Sequence, residues 1–254
     1  MAARERVYRT EAVVLRRGDL GEADRLLTVF SPKYGKLRLV AKGVRRPTSR
    51  KAGHLEPLTR VDLLLAKGRE LDIITQAQSL QTYPLPTEDL ERLGYALYAA
   101  ELLDHFSVAE GETRSQYRLL TDTLERLSGG DEPAPAIRHF ELQLLEVSGF
   151  RPELFGCVGC GTGIRPEAQF FSAEHGGVLC PACGGAEADA LPVSLSALRV
   201  LRHYQRSTYA ASAAVRVRAE VMQEIERLMQ VYLSHLLERR LNVPAFLRQI
   251  RELR

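Results

Sequence analysis

No run of roughly eighteen apolar residues, the length a membrane-spanning helix needs, occurs in this 254-residue chain. Residues Met1 to Arg6 lack the apolar stretch of a secretory signal, which predicts a cytoplasmic protein. Signatures of catalysis are missing too. There is no GxxxxGK(S/T) loop to cradle nucleotide phosphates, no GxSxG elbow and no HExxH helix. The six histidines are scattered, with none at ligand spacing from another. Glu22 and Asp24 would serve a zinc-containing or other metal-dependent nuclease only with further acidic partners, and they read as solvated acids on a turn. These absences leave a binding and scaffolding protein, not an enzyme. Repeats and low-complexity tracts are also lacking. A content of 45% hydrophobic and 26% charged residues then excludes a disordered chain and leaves a globular one with a proper core.

Cysteine is scarce and concentrated. All four stand in one segment as Cys157-x-x-Cys160 and Cys180-x-x-Cys183, with 19 residues between the pairs. Each CxxC turn places two thiolates on one metal, and two such turns complete a tetrahedral sulfur site. Thiolates with neither imidazole nor carboxylate suit zinc best. Four protein ligands leave no position open for water or substrate, so the expected zinc is structural. A redox dithiol, a disulfide pair or a degenerate empty site is the alternative. His175 lies within the loop as a bystander, because the cysteines already fill the shell.

Charge is distributed unevenly. Residues 1–80 carry 17 Lys/Arg against 9 Asp/Glu, whereas the remainder carries 18 against 23. Eight cations and no carboxylate fall within residues 33–51: Lys33, Lys36, Arg38, Lys42, Arg45, Arg46, Arg50 and Lys51. From Lys36 to Lys42 the pattern has period two, with Lys36, Arg38, Val40 and Lys42 on one face of a strand and Leu37, Leu39 and Ala41 on the other. From Gly43 to Gly53 it becomes a polar basic loop. A cationic strand feeding a cationic loop makes a track for a sugar–phosphate backbone, with Tyr34 beside it for base stacking. Phe30 reads as core.

Strands are expected at 6–16, 23–30, 36–42, 58–66 and 70–82, with Gly18 and Gly21 turning the first into the second. Five strands with a long loop between the third and fourth predict a five-stranded OB-fold barrel over residues 1–82, an SH3-like barrel being the rival. Tyr83-Pro84-Leu85-Pro86-Thr87 is a linker, with Thr87 placed to cap the first helix beyond it. A mainly α-helical domain is expected over 83–254, interrupted by a zinc module at 155–187; the fold class is α+β. Leu90, Leu93, Leu97, Ala100 and Leu103 form one helical stripe; Tyr117, Leu120, Leu124 and Leu127 a second; Ile137, Phe140, Leu144 and Val147 a third. Gly149 ends the third. Further helices are expected near 194–204 and 216–240, and Pro244 opens a short terminal piece.

Four stretches together resemble the bacterial recombination mediator family RecO. They are residues 22–28 (EADRLLT), 35–45 (GKLRLVAKGVR), 138–145 (RHFELQLL) and the GFxPxL lead-in to Cys157 at 149–154. Their order and spacing are specific, and the likeness covers nearly the whole chain. It implies binding of single- and double-stranded DNA and annealing of complementary strands, including strands coated by SSB. It also implies work with RecR, and with RecF at some ends, in helping RecA replace SSB, at the nucleoid. The four cysteines match the zinc-bearing members. Residues 135–140 match a segment linked with the acidic SSB C-terminal tail, which makes Arg138 the candidate cation for that contact. A general RNA- or tRNA-binding OB module with a zinc ribbon stands as the alternative.

Overall fold

The structure, a computed structural model, describes residues 6–85, 89–107 and 113–238. It divides into two compact units, Met1–Gly129 and Gly130–Arg254. In the first unit, strands β1 (Val7–Leu20), β2 (Asp24–Ser31), β3 (Gly35–Ala41), β4 (Arg60–Ala66) and β5 (Asp72–Gln81) close a barrel in the order β1-β2-β3-β5-β4. All neighbours are antiparallel except β3 and β5, which meet in parallel at Leu39–Asp72 and Val40–Ile73. This is the Greek-key order of an OB-fold, and it decides against the SH3-like rival.

Period two sets the barrel interior. Ala12, Val14, Leu27, Val29, Leu39, Ala41, Val61, Leu63, Leu65 and Ile74 point inward and are at most 1% exposed. The first strand runs four residues past its expected end. β2 pairs with β1 as far as Leu20–Asp24, so Gly18 stays in the ladder and the turn falls at Gly21. A bulge between Val14 and Arg16 absorbs the added twist.

Helices α1 (Leu90–Phe106) and α2 (Arg114–Gly129) pack against the barrel within the same unit. The Asp89 side chain caps α1 by accepting from the Arg92 N–H; Pro86 and Thr87, expected to end the linker and cap the helix, lie outside the described residues. The stripe expected for α1 holds in its second half, where Ala100 and Leu103 are buried, and is corrected in its first. Leu90 is exposed and Leu93 and Leu97 are half-buried, while Tyr95, Tyr98, Ala99 and Leu102 are buried. This helix is apolar around most of its circumference, and no single-face reading of its period can succeed. In α2, Tyr117, Leu120, Leu124 and Leu127 are all buried as expected.

The second unit opens with α3 (Pro133–Val147). Gly149, at φ +81°, donates to the Glu146 carbonyl, and Phe150 donates to that of Leu145, a Schellman closure of the helix. The cysteine segment then contains a small sheet that the sequence did not announce. Strands β6 (Gln169–Ser172), β7 (Gly177–Leu179) and β8 (Leu191–Val193) lie in the order β7-β6-β8, with the one-turn helix α4 (Pro181–Gly184) between the last two in the chain. Helices α5 (Leu195–Arg206), α6 (Tyr209–Ala213) and α7 (Ala219–Leu236) complete it. The last is shorter at both ends than the 216–240 expected from its stripe. Pro244 lies outside the described residues. Among the described residues, no helix is long and apolar enough to cross a membrane.

Candidate nucleic-acid surface and metal centre

The β3 alternation holds: Leu39 and Ala41 are buried while Arg38 and Lys42 are exposed. Its cations are not equivalent, however. The Lys36 ammonium donates to the Asp104 carbonyl at the end of α1 and lies 3.4 Å from that residue's carboxylate, which Arg16 also engages at 2.7 Å. One carboxylate thus sits between two cations, and Lys36 is held to the helix instead of projecting with Arg38. Arg45 reaches back to the β1–β2 turn, donating to the Gly21 carbonyl and pairing with Asp19 at 3.3 Å.

Lys51 has a third fate. Its ammonium donates to the carbonyls of Lys42 at 3.2 Å and Ile74 at 2.9 Å, bridging the ends of strands whose parallel ladder is only two residues long. Burial there lowers its pKa, with Asp24 opposing. Lys51 is therefore a staple for the barrel's weakest seam. Five of the eight cations remain: Lys33, Arg38, Lys42, Arg46 and Arg50 are exposed and have no ion-pair partner among the described residues. Asp24, which the sequence left as a solvated acid, accepts from the Gly43 N–H at 2.7 Å and fixes the start of the basic loop.

Tyr34 is half-buried against Tyr8, ring centroids 5.0 Å apart and edge to face. Sequence reasoning missed Tyr8, because a half-buried aromatic in a strand is indistinguishable from core until the barrel closes. Phe30 is fully buried, as expected. Arg138 is a correction. It is 2% exposed and pairs at 2.9 Å with Glu141, itself fully buried. The helix turns this face inward, so Arg138 is no solvent-facing cation for an acidic tail.

The four cysteines come together. Their sulfurs all lie within 4.8 Å of one another, with Cys160 and Cys180 3.8 Å apart. Metal–sulfur bonds of about 2.3 Å at the tetrahedral angle require edges of about 3.8 Å, so the donor set fits one soft divalent cation. Burial pushes the Cys157 thiol up, but N–H groups of Cys180, Cys160 and Gly159 outweigh it and bring it down to about 6. Cys183, hydrogen-bonded to Cys180, Cys160 and Cys157, is pushed up to about 12.

Backbone geometry supports the site. Gly161 and Gly184 donate to the carbonyls of Cys157 and Cys180, both at 2.8 Å. A Cβ on Gly184 would lie 2.4 Å from that of Phe170, so only glycine lets the second knuckle pack on β6. His175 takes no part; it bonds the Ser172 hydroxyl at 3.0 Å.

Two family models cover this chain, Recombination protein O N terminal over residues 4–83 and Recombination protein O C terminal over residues 87–244. The chain belongs to the RecO family. Among curated relatives named DNA repair protein RecO, that of a Roseiflexus species is 42% identical over 98% of this chain and 88% of its own length. Those of Dehalococcoides mccartyi and Pelotomaculum thermopropionicum are 34% and 37% identical, each over more than nine-tenths of both chains. The resemblance read from the four sequence stretches is thereby established over both units.

Proposed function

We propose that this chain acts without catalysis in DNA repair by homologous recombination, binding single- and double-stranded DNA and pairing complementary strands. The carrying observation is the set of exposed cations on β3 and its following loop, Arg38, Lys42, Arg46 and Arg50, with Lys33 at the preceding turn. Two strands repel each other as polyanions, and a surface that neutralises both lowers the barrier to their encounter. Contacts to phosphates carry no base sequence, so annealing follows whatever complementarity the strands bring. Arginine forks clamp phosphate oxygens two at a time, and the loop adapts where the strand cannot.

On this reading the protein works on chromosomal DNA in the cytoplasm, anneals strands coated by SSB and, with RecR, helps RecA replace SSB, RecF contributing at some ends. The cysteine site holds structural zinc, which would be bound by Cys157, Cys160, Cys180 and Cys183 and would fix the fold of the second unit. The SSB tail, acidic and apolar at its end, needs an exposed cation beside an apolar groove. The test is annealing of complementary oligonucleotides with SSB present and ATP absent. Acceleration supports the reading, and failure to bind oligonucleotides at low salt rejects it.

A further inference from the structure

The barrel has two chemically different ends. Strand polarity places the β1–β2 turn and the basic loop after β3 at one end. At the other end lie the start of β1, the β2–β3 turn and the β4–β5 turn, and here the two tyrosines meet. A lysine covers each ring: Lys33 stands 5.0 Å from the Tyr34 centroid, and Lys67 5.7 Å from that of Tyr8. Both lysines are exposed.

The rings are held firmly. The Tyr8 hydroxyl donates to Asp72 at 2.6 Å, which fixes the ring in place. Ser31 fixes the turn carrying Tyr34: its hydroxyl accepts from the N–H groups of Lys33 and Tyr34, both at 3.2 Å, and bonds Thr10 at 2.7 Å. Thr113 at the start of α2 ties the same turn by donating to the carbonyls of Ser31 and Pro32. A rigid aromatic pair flanked by exposed ammonium groups meets both needs of a nucleotide, a flat surface for the base and charge for its phosphates.

We propose that Tyr8 and Tyr34 form a base-stacking platform for single-stranded DNA, with Lys33 and Lys67 holding the flanking phosphates. The proposal rests on the DNA-binding reading above and adds a second, chemically distinct contact to it. An exposed lysine–ring contact is weaker than a stacked base, so an arriving base displaces the ammonium toward its phosphate. β3 lies between the two ends, its seven residues spanning about 20 Å at about 3.3 Å per residue. A strand anchored at the basic loop therefore runs past Arg38 to reach the platform. Duplex DNA, whose bases are already stacked on each other, gains nothing there.

The chain has no tryptophan, so Tyr34→Trp introduces a single reporter. In the full-length protein, single-stranded oligonucleotides should quench its emission, whereas an abasic oligonucleotide of equal length should bind without quenching. Tyr34→Ala should weaken single-strand binding roughly 5- to 100-fold and leave duplex binding unchanged, while Tyr34→Phe should retain both. Anisotropy that reports binding while the emission of the introduced indole stays constant overturns the platform and spares the phosphate track. Equal losses of single-strand and duplex affinity in Tyr34→Ala overturn it as well. No binding of any oligonucleotide by the unsubstituted protein overturns both readings.

Discussion

Lys36 and Arg38 stand two positions apart on one face of β3, yet they differ in what surrounds them. Arg38→Ala should remove a phosphate contact and nothing else, since it is exposed without an ion-pair partner among the described residues. With Lys42→Ala added, the slope of log affinity against log salt for single strands should fall by about 1.4, at about 0.7 per phosphate. Thermal stability should stay within about 0.5 kcal/mol, as surface substitutions do. Lys36→Ala should instead destabilise the protein, because Asp104, only 12% exposed, loses one of its two cations. Titration at several salt concentrations with parallel denaturant melts separates the two outcomes. A second residue-scale effect concerns alkali. Burial, then a bond to Asp72, raises the Tyr8 pKa; burial, then Glu11, raises that of Tyr117; burial brings Tyr83 up to about 12. A folded pKa above the unfolded value of about 10 means stability that is complete below that pH and is lost as pH climbs toward the folded value. Denaturant midpoints should therefore hold to about pH 9 and fall steeply above pH 10. A shallower fall in Tyr8→Phe would identify one contributor. The alternation of Arg38 was legible in sequence; the capture of Lys36 was not, because Asp104 lies 68 residues away and nothing local marks it.

At the scale of elements, the cysteine module is sewn to the helices that come after it in the chain. Arg202 on α5 donates to the Leu154 carbonyl at 2.7 Å, and its guanidinium and that of Arg206 lie 4.8 and 3.5 Å from the Phe155 centroid. Gln205 donates to Pro152 at 2.8 Å, and Tyr232 of α7 to Phe150 at 2.9 Å while its ring meets Phe171. A bound metal therefore holds the segment on which α5 and α7 pack. Chelation, or Cys160→Ser with Cys180→Ser, should strip amide protection from residues 150–206 and leave that of β1–β5 intact. Hydrogen exchange measures this directly, and unchanged protection would refute it. Gly184→Ala should cost about 1–3 kcal/mol without touching a ligand, because the new methyl meets Phe170. Elements were legible where one face is buried and one is wet, as in β3 and α2. They were obscure in α1, which is covered on several sides, and in β6 to β8, whose three or four residues are too few to display a period.

For the whole molecule the question is where the first folding unit ends. The change from strand to helix near residue 83 invites a cut after the barrel, whereas the compact unit extends to Gly129. Val13 and Phe30, paired across β1 and β2, are fully buried although they lie outside the barrel's inner cluster, on the opposite pleat from Val14 and Val29. They are dry because α1 and α2 cover the outer side of those strands. The same helices supply Asp104 to Lys36 and Arg16, and Thr113 to the turn that carries Tyr34. Exposing two such side chains forfeits about 1.5–3 kcal/mol each, a large part of the roughly 5–15 kcal/mol that stabilises a domain. A fragment of residues 1–82 should consequently aggregate or bind hydrophobic dyes, while residues 1–129 should melt cooperatively and give dispersed amide spectra. Monomeric, well-dispersed 1–82 would show that the barrel stands without its helices and that Asp104 and Thr113 merely decorate it. If 1–129 alone behaves, the polyanion track and the turn bearing Tyr34 belong to one unit whose geometry depends on α1 and α2 as much as on the strands.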